Sequence, residues 1–483
     1  MEVLKLEETL HPPLTEYKLF EFSNGKKSVE VNVPMLTVDN AEGTLEILRK
    51  NRDAYLAKKH TKEILEVLGQ VNERWLDRSY DLRKEALEML PIITGFSTQM
   101  VEHTLDGMMR SFSYENLYRM FQVELGHPFI FDEFIQLPGL NGSIKGYLIN
   151  GGPKVYTVSN AGNVHVLSML GVNRCTPLKA STLNKVASEE PSFLTHYKMS
   201  IKEVDENIAK CIGIVCWEGI NKEVRKKAFN TDGLEAYGGP MAIRDCQEMV
   251  KEIEEETGRK IPANYYGHKI ALGFVGREFL RSEEMARDVA RTVGRSASLY
   301  QQQGCLSLQE LETEEGGVIS PLEFARILNE EMETVNKELP WGEYPRKTKE
   351  EISVLRGEVE FDSVMEGNVK IFYPNKPDWT IVYDERVNEF NPCENVLIRV
   401  RPVKNMEEFI ARASSIKEYL QTIGLKVNDE RKLVLADRLG EIGAARICEI
   451  EKMGYPEVGP HDRYFRIRRL INPYVNGYAV IEK

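Results

Sequence analysis

Seven cysteines are the residues of this chain best able to do covalent chemistry. They are Cys175, Cys211, Cys216, Cys246, Cys305, Cys393 and Cys448, odd in number and never in a Cys-x-x-Cys pair. That spacing argues against a disulfide framework and against a zinc site. Cys175, Cys211, Cys216 and Cys448 sit beside aliphatic residues and read as small buried hydrophobes. Cys305 differs, because an amphipathic stretch from Ser282 to about Tyr300 runs into Gln301-Gln302-Gln303-Gly304-Cys305-Leu306-Ser307. A polar loop with a glycine lets a thiol face a cleft and a substrate approach the backbone closely. Cys393, in Asn391-Pro392-Cys393, is its rival. A thiol attacks as thiolate, so either position needs nearby donors or a helix terminus to lower its pKa.

Two further segments could serve such a nucleophile. In Val158-Ser159-Asn160-Ala161-Gly162-Asn163-Val164 a strand enters a small polar loop and then an apolar helix. Asn163 is either a helix cap or an amide donor for the oxyanion formed when a thiolate attacks an acyl carbon. In Pro177-Leu178-Lys179-Ala180-Ser181-Thr182, a lysine followed by two hydroxyl residues is either a surface turn or a grip for a phosphate or ribose.

The elements around these residues form a pattern. From Ala41 to Phe121 apolar residues recur at three- and four-residue spacing (Leu45, Leu48; Ile64, Leu65, Leu68, Val71), with Pro91 expected to end one helix. The aromatic and methionine residues from Met108 to Phe121 read as a core stripe. After Gly126, short apolar runs (Val155–Val158, Ile212–Trp217, Ile270–Val275) alternate with amphipathic stretches (Lys222–Phe229, Glu283–Val293). This alternation predicts an α/β fold with a parallel sheet and helical crossovers, where a nucleotide binds at the carboxyl ends of the strands. No Gly-x-Gly-x-x-Gly follows a strand, so a dinucleotide would need another geometry. A helix is expected over 322–339, strands over 369–373, 380–383 and 396–400, a helix over 406–420, and a basic, aromatic arm from Arg463 onward.

At 483 residues the chain should divide into domains. Its net charge of -12 argues against a nucleic-acid partner. Basic runs at Arg225-Lys226-Lys227 and Arg466 to Arg469 read as solvated faces. No run reaches the roughly 18 apolar residues of a membrane span, and the start of the chain lacks a signal-peptide pattern. A cytoplasmic location is expected.

The order of asparagine loop, lysine turn and cysteine loop resembles the aldehyde dehydrogenase superfamily. Within it, Ala286-Arg287-Asp288-Val289-Ala290 through Tyr300-Gln301-Gln302-Gln303-Gly304-Cys305-Leu306-Ser307-Leu308-Gln309 is similar to the acyl-CoA reductase (LuxC) family, whose members supply fatty aldehyde in bacterial luminescence. So are Ala161-Gly162-Asn163-Val164, Lys179-Ala180-Ser181, Trp217-x-Gly219, Gly267-His268-Lys269-Ile270, Leu439 to Cys448 and His461-Asp462. The resemblance spans about Tyr147 to His461.

It implies an aldehyde dehydrogenase-like fold with four parts: an N-terminal strand and helical segment (1–130), a Rossmann-type nicotinamide domain (131–272), an α/β catalytic domain bearing the cysteine (273–450) and a C-terminal arm (451–483) that self-associates. It further implies NADPH-dependent reduction of a long-chain acyl-CoA or acyl-protein to the aldehyde, without a metal. Cys305 would carry the acyl group, and Asn163 with the Cys305 amide would hold the oxyanion. Lys179, Ser181, Thr182, Trp217 and Gly219 would hold the cofactor. An acyl-protein synthetase partner and a homo-oligomer are expected by the same resemblance.

Two absences favour reduction. Hydrolytic relatives carry a glutamate base in Glu-x-Gly-Gly-Lys, where this chain has Tyr265-Tyr266-Gly267-His268-Lys269. Three residues beyond Lys179 stands Thr182, not an acid that would repel a 2′-phosphate. Two departures stand out. His165 replaces a proline after Val164, and Trp217-Glu218-Gly219-Ile220-Asn221 replaces Trp-x-Gly-Gly-Asp. His268 is either a catalytic acid or a structural hydrogen-bonder. The remaining alternatives are another enzyme of the superfamily acting on a short acyl-CoA or small aldehyde, and an inactive scaffold subunit.

Overall fold

The computed structural model describes residues 2–8, 14–343, 346–386, 396–456 and 464–482. Three strands open the chain: β1 (Glu2–Glu7), β2 (Tyr17–Ser23) and β3 (Lys27–Pro34). β3 lies between the others, parallel to β1 and antiparallel to β2. Its alternate residues Val29, Val31 and Val33 are buried, as a half-covered strand requires. The helical stretch then resolves into Ala41–Ala54, Thr61–Arg74, Asp81–Thr94, Thr98–Ser111 and Tyr114–Leu125. Three of these starts are capped: by His60, whose ring accepts from the Lys62 amide while its own amide donates to the Glu63 carboxylate, and by the hydroxyls of Ser97 and Ser113. Pro91 does not end its helix. It sits in the last turn, and the stop comes at Gly95, whose φ of 75° is left-handed.

β4 (Gly142–Leu148) stands apart from the sheet that follows it. That sheet contains β5 (Val155–Ser159), β6 (Ser181–Lys185), β7 (Ile212–Val215), β8 (Gly233–Tyr237) and β9 (Ala263–Tyr266). It is wholly parallel, in the order β7-β6-β5-β8-β9. The order reverses direction at β5, which opens a crevice at the carboxyl ends of β5 and β8.

A second sheet follows, made of β10 (Ile270–Val275), β11 (Glu310–Glu314), β12 (Val369–Phe372), β13 (Thr380–Asp384), β14 (Leu397–Val403), β15 (Leu420–Lys426) and β16 (Arg446–Glu449). Its order is β12-β13-β14-β11-β10-β15-β16, with only the β12–β13 pairing antiparallel. Helices Glu283–Ser298 and Pro321–Glu338 pack against each other on one face, burying Val289, Val293, Phe324 and Leu328. The helix Arg346–Met365 was not anticipated from the sequence. The expected helix over 406–420 stops at Ser415, and Leu420 already begins β15.

Several expected boundaries shift. A division at residue 272 cuts β10, which belongs to the second sheet. β4 joins no strand of the first sheet and pairs antiparallel with β17 (Val475–Glu482), forming the arm. The tail is not all arm. The short helix Arg466–Ile471 packs onto helix Tyr114–Leu125 and β9, with Arg466, Ile467, Leu470 and Ile471 buried. Arg466 is therefore not part of a solvated basic face. Arg463 and the His461-Asp462 motif lie outside the described residues, as does Cys393.

Candidate active site

Cys305 is exposed, while Cys175, Cys211, Cys216 and Cys246 are buried and Cys448 is partly so. Burial pushes the buried thiols up, Cys211 to about 12 and Cys216 to about 11, which leaves them poor nucleophiles. Cys305 lies in a turn closed by a 2.9 Å hydrogen bond from the Ser307 amide to the Gly304 carbonyl. It borders a cavity of about 1170 Å³ between the carboxyl ends of the first sheet and the strand starts of the second.

The loop reaches this position by an unusual route. After helix Glu283–Ser298, Tyr300, Gln301 and Gln302 all have left-handed backbones, with φ of 54°, 52° and 62°. Each such non-glycine residue costs about 1–2 kcal/mol, so the surroundings must hold the turn. Gln302 Nε2 donates to the Leu308 and Leu397 carbonyls at 2.8 and 3.0 Å, and Ser307 Oγ donates to the Leu299 carbonyl at 3.1 Å. Consecutive strained residues beside an exposed thiol point from geometry toward function.

Asn163 meets this loop directly. Its Nδ2 donates to the Gln303 carbonyl at 2.5 Å, two residues from Cys305. It caps no helix, since the next helical turn is preceded by Val164 without a side-chain cap. The Asn163 loop is packed closely, and a Cβ on Gly162 would stand 2.7 Å from Glu189 Cβ.

Lys179, Ser181 and Thr182 are not brought to the cavity. Lys179 ends a tight turn before β6 with φ of 60°, and its Nζ is paired with the buried Asp132. Ser181 Oγ donates to the Leu48 carbonyl, and Thr182 accepts from Asn184 inside the sheet. All three sit at the amino end of β6, and a five-residue strand carries the chain roughly 16 Å to the other end. At that other end is Lys185, which lines the cavity. Desolvation lowers its pKa, with Glu189 acting in the opposite sense. Sequence reading missed it by placing the strand end too early. Trp217 is buried on the same side, with Lys185 Nζ 5.7 Å from its ring. Gly219 is exposed, with open space where a Cβ would stand.

A second missed feature is Gly238-Gly239-Pro240. It leaves the carboxyl end of β8 and starts the helix Pro240–Thr257, with Gly239 at the N-cap and all three residues on the cavity wall. The unbonded amides of such a helix start attract phosphate. The strand-glycine-helix order was the available signal.

Tyr265, Tyr266 and His268 are also on the wall, and among the described residues Glu189 is its one carboxylate. Glu189 lies on the Lys185 side. Burial raises Tyr265 to about 12, so its phenol stays neutral. Tyr266 stacks on Tyr237 at 4.3 Å, and both hydroxyls accept from Arg174 Nη1, which is also paired with buried Glu235. The early helical segment lines the cavity mostly with apolar residues, Ile93, Phe96, Met108, Phe112, Leu117 and Met120, interrupted by Thr94, Ser111 and Asn116, and Leu167 and Leu170 add to that lining. The stripe read as core between Met108 and Phe121 thus also faces the cavity, because one periodicity serves both. Among the described residues no group of three His, Cys, Asp or Glu could hold a metal ion, and no helix is long and apolar enough to cross a membrane.

The family model described as acyl-CoA reductase (LuxC) matches residues 56–472. The chain belongs to the acyl-CoA reductase (LuxC) family. Similar relatives of this LuxC-family chain are long-chain acyl-protein thioester reductases. That of Vibrio harveyi is 22% identical over 464 residues, covering 95% of this chain and 89% of the relative. That of Aliivibrio fischeri is 23% identical over 465 residues, covering 94% and 88%. Among solved structures, aldehyde dehydrogenase 21 from Physcomitrella patens superposes with a TM-score of 0.69 at 12% identity, covering 100% of this chain and 99% of that one. The putative aldehyde dehydrogenase PutA from Anabaena variabilis gives 0.66 at 14%, covering 96% and 98%. The fold is aldehyde dehydrogenase-like, and the family is one of oxidoreductases.

Proposed function

We propose that this protein reduces a long-chain acyl thioester to the aldehyde through an acyl-Cys305 intermediate, with NADPH as reductant. The observation that carries the reading is the 2.5 Å hydrogen bond joining Asn163 to the Cys305 loop beside a cavity lined in large part by apolar residues of the early helical segment. The Cys305 thiolate attacks the thioester carbon, and the donor thiol departs as the acyl group moves to Sγ. One Nδ2 hydrogen of Asn163 is committed to Gln303; the other, with the Cys305 amide, stabilises the oxyanion. Among the described residues the wall around Tyr265, Tyr266 and His268 offers no carboxylate to activate water, and the cavity's one carboxylate, Glu189, packs against Gly162 on the Lys185 side. We assign His268 no catalytic step.

The strand ends fit a nicotinamide dinucleotide. Lys185 is a desolvated cation, Trp217 lies beneath it, and the Gly238-Gly239 helix start offers amides for phosphate. Bound there, the cofactor supplies hydride to the acyl carbon. Asn163 then holds the oxygen of the thiohemiacetal on Cys305 until collapse returns the thiolate and releases aldehyde. Ser188, three residues beyond Lys185, is uncharged and leaves room for a 2′-phosphate. Glu189 beside it opposes one, so the preference for NADPH over NADH should be small.

The apolar wall favours a long acyl group, because each buried CH₂ contributes about 0.8 kcal/mol. A short acyl-CoA or small aldehyde would leave it unfilled. The donor is acyl-CoA or an acylated protein delivered by a synthetase. The β4–β17 arm, with Tyr147, Tyr478, Val480 and Ile481 exposed, would join copies of the chain. The deciding experiment is tetradecanoyl-CoA-dependent NADPH oxidation with detection of the aldehyde. Oxidation without aldehyde, or neither, would refute the reading.

A further inference from the structure

His165 follows the oxyanion loop directly, at the position where the family resemblance has proline. It is 1% exposed, and its ring packs between Phe96, Phe193 and Tyr300 with centroids 6.2 Å away in each case. Its Nε2 lies 3.4 Å from Thr104 Oγ1, a long contact. The Thr104 hydroxyl proton is already given to the Met100 and Val101 carbonyls, at 2.7 and 3.2 Å. Nε2 must therefore be the donor, which leaves Nδ1 a bare acceptor, buried without a hydrogen-bond partner among the described residues. With so weak a polar tie, the ring's shape is what this histidine contributes.

Tyr300 is the other half of the contact. It is the first residue of the left-handed turn, 5% exposed, and its hydroxyl is also buried without a hydrogen-bond partner among the described residues. Packing is then what fixes the ring among them. The same ring also reaches the residue before Cys305, since a Cβ on Gly304 would lie 3.5 Å from Tyr300 Cδ2. The ring of Tyr300 is thus wedged between the residue before Cys305 and the second residue after Asn163.

We propose that His165 is a positioning residue for Cys305: its ring seats Tyr300, and Tyr300 sets the left-handed turn that presents the thiol beside Asn163. This rests on the reading of Cys305 as nucleophile. It adds ring packing at Tyr300 to the hydrogen bonds by which Gln302 and Ser307 hold the turn of three strained residues. It also gives the His165 departure a local use. Gln302 is placed by side-chain hydrogen bonds, and Tyr300 is placed by aromatic packing.

The test uses full-length His165→Ala and His165→Phe, measuring kcat and KM for tetradecanoyl-CoA per titrated Cys305 thiol, with thermal unfolding alongside. The expected result is a kcat at least ten-fold lower in His165→Ala with KM within two-fold, because the acyl wall is untouched. His165→Phe keeps the ring and should recover kcat to within about three-fold of the parent. A parental kcat in folded His165→Ala overturns the proposal, as does an equal loss in both variants, which would mark a role unrelated to ring shape. Should His165→Ala not fold, Tyr300→Leu perturbs the same contact from the other side, and a parental kcat there overturns it equally. Turnover in Cys305→Ala would instead sink the nucleophile reading itself, whatever His165 does.

Discussion

Removing the Asn163 amide tests the chemistry at its most exposed joint. The amide has two hydrogens, and the 2.5 Å bond to the Gln303 carbonyl uses one. Asn163→Ala therefore loses an oxyanion donor and a tether together. Loss of a donor aimed at the developing oxyanion lowers kcat by about 100–1000-fold, or roughly 3–4 kcal/mol. The tether is worth less, about 0.5–1.5 kcal/mol for an ordinary hydrogen bond, and Asn163 is exposed, so unfolding temperature should barely move. The two effects separate in kinetics. A donor used mainly in the transition state affects kcat and leaves KM nearly unchanged. The assay is steady-state reduction of tetradecanoyl-CoA across substrate concentration, with differential scanning calorimetry on the same preparation. A kcat within five-fold of the parent, or a loss confined to KM, would refute the oxyanion role.

Other outcomes follow from the same geometry. Lys185→Ala should weaken nicotinamide binding by about ten-fold or more, one surplus charge–phosphate hydrogen bond being worth roughly 1.5–3 kcal/mol. Lys179→Ala should leave binding unchanged and destabilise the fold by up to about 3 kcal/mol by stranding buried Asp132, as fluorescence titration and urea unfolding would show. Because desolvation lowers Lys185 below the ordinary lysine value, cofactor affinity should fall as pH rises through that lowered pKa, and the alkaline slope should vanish in Lys185→Ala. His165, held at about 3 by burial, binds its proton more readily when unfolded. Stability should therefore rise with pH between about 3 and the ordinary histidine value of about 6.5, and His165→Phe should flatten that acid limb in urea titrations. Met120→Trp should block the apolar wall, lowering kcat/KM for tetradecanoyl-CoA at least ten-fold while octanoyl-CoA changes little; an equal loss for both would mean the chain runs elsewhere.

Much of the architecture was legible because the chemistry of each element is local. Lys222–Phe229 and Ile270–Val275 appear at the bounds their patterns predict, and the cysteine loop stands out because every other described thiol is packed among apolar neighbours. The lysine was misread for a physical reason. β6 is Ser-Thr-Leu-Asn-Lys, a buried strand in which Ser181 bonds to Leu48 of the first helix and Asn184 to Thr182 and the Gly213 carbonyl, so neither hydrophobic run nor alternation marks its ends. Shifting the strand end by six residues exchanges the cavity end of the strand, where Lys185 stands, for the opposite end. The helix Arg346–Met365 escaped notice because Val354, Phe361 and Val364 are exposed opposite buried Ile352 and Val359, which blurs its apolar stripe. The tie of Asn163 to Gln303 spans 140 residues and could come only from tertiary structure.

The central claim is that Cys305 carries the acyl group. Incubating the protein with tetradecanoyl-CoA in the absence of nicotinamide, then digesting and mapping by mass spectrometry, tests it directly. A tetradecanoyl adduct on the Cys305 peptide, absent from Cys305→Ala and discharged as aldehyde when NADPH is added, is the predicted result. An adduct on another cysteine such as Cys393, or undiminished labelling in Cys305→Ala, would contradict it.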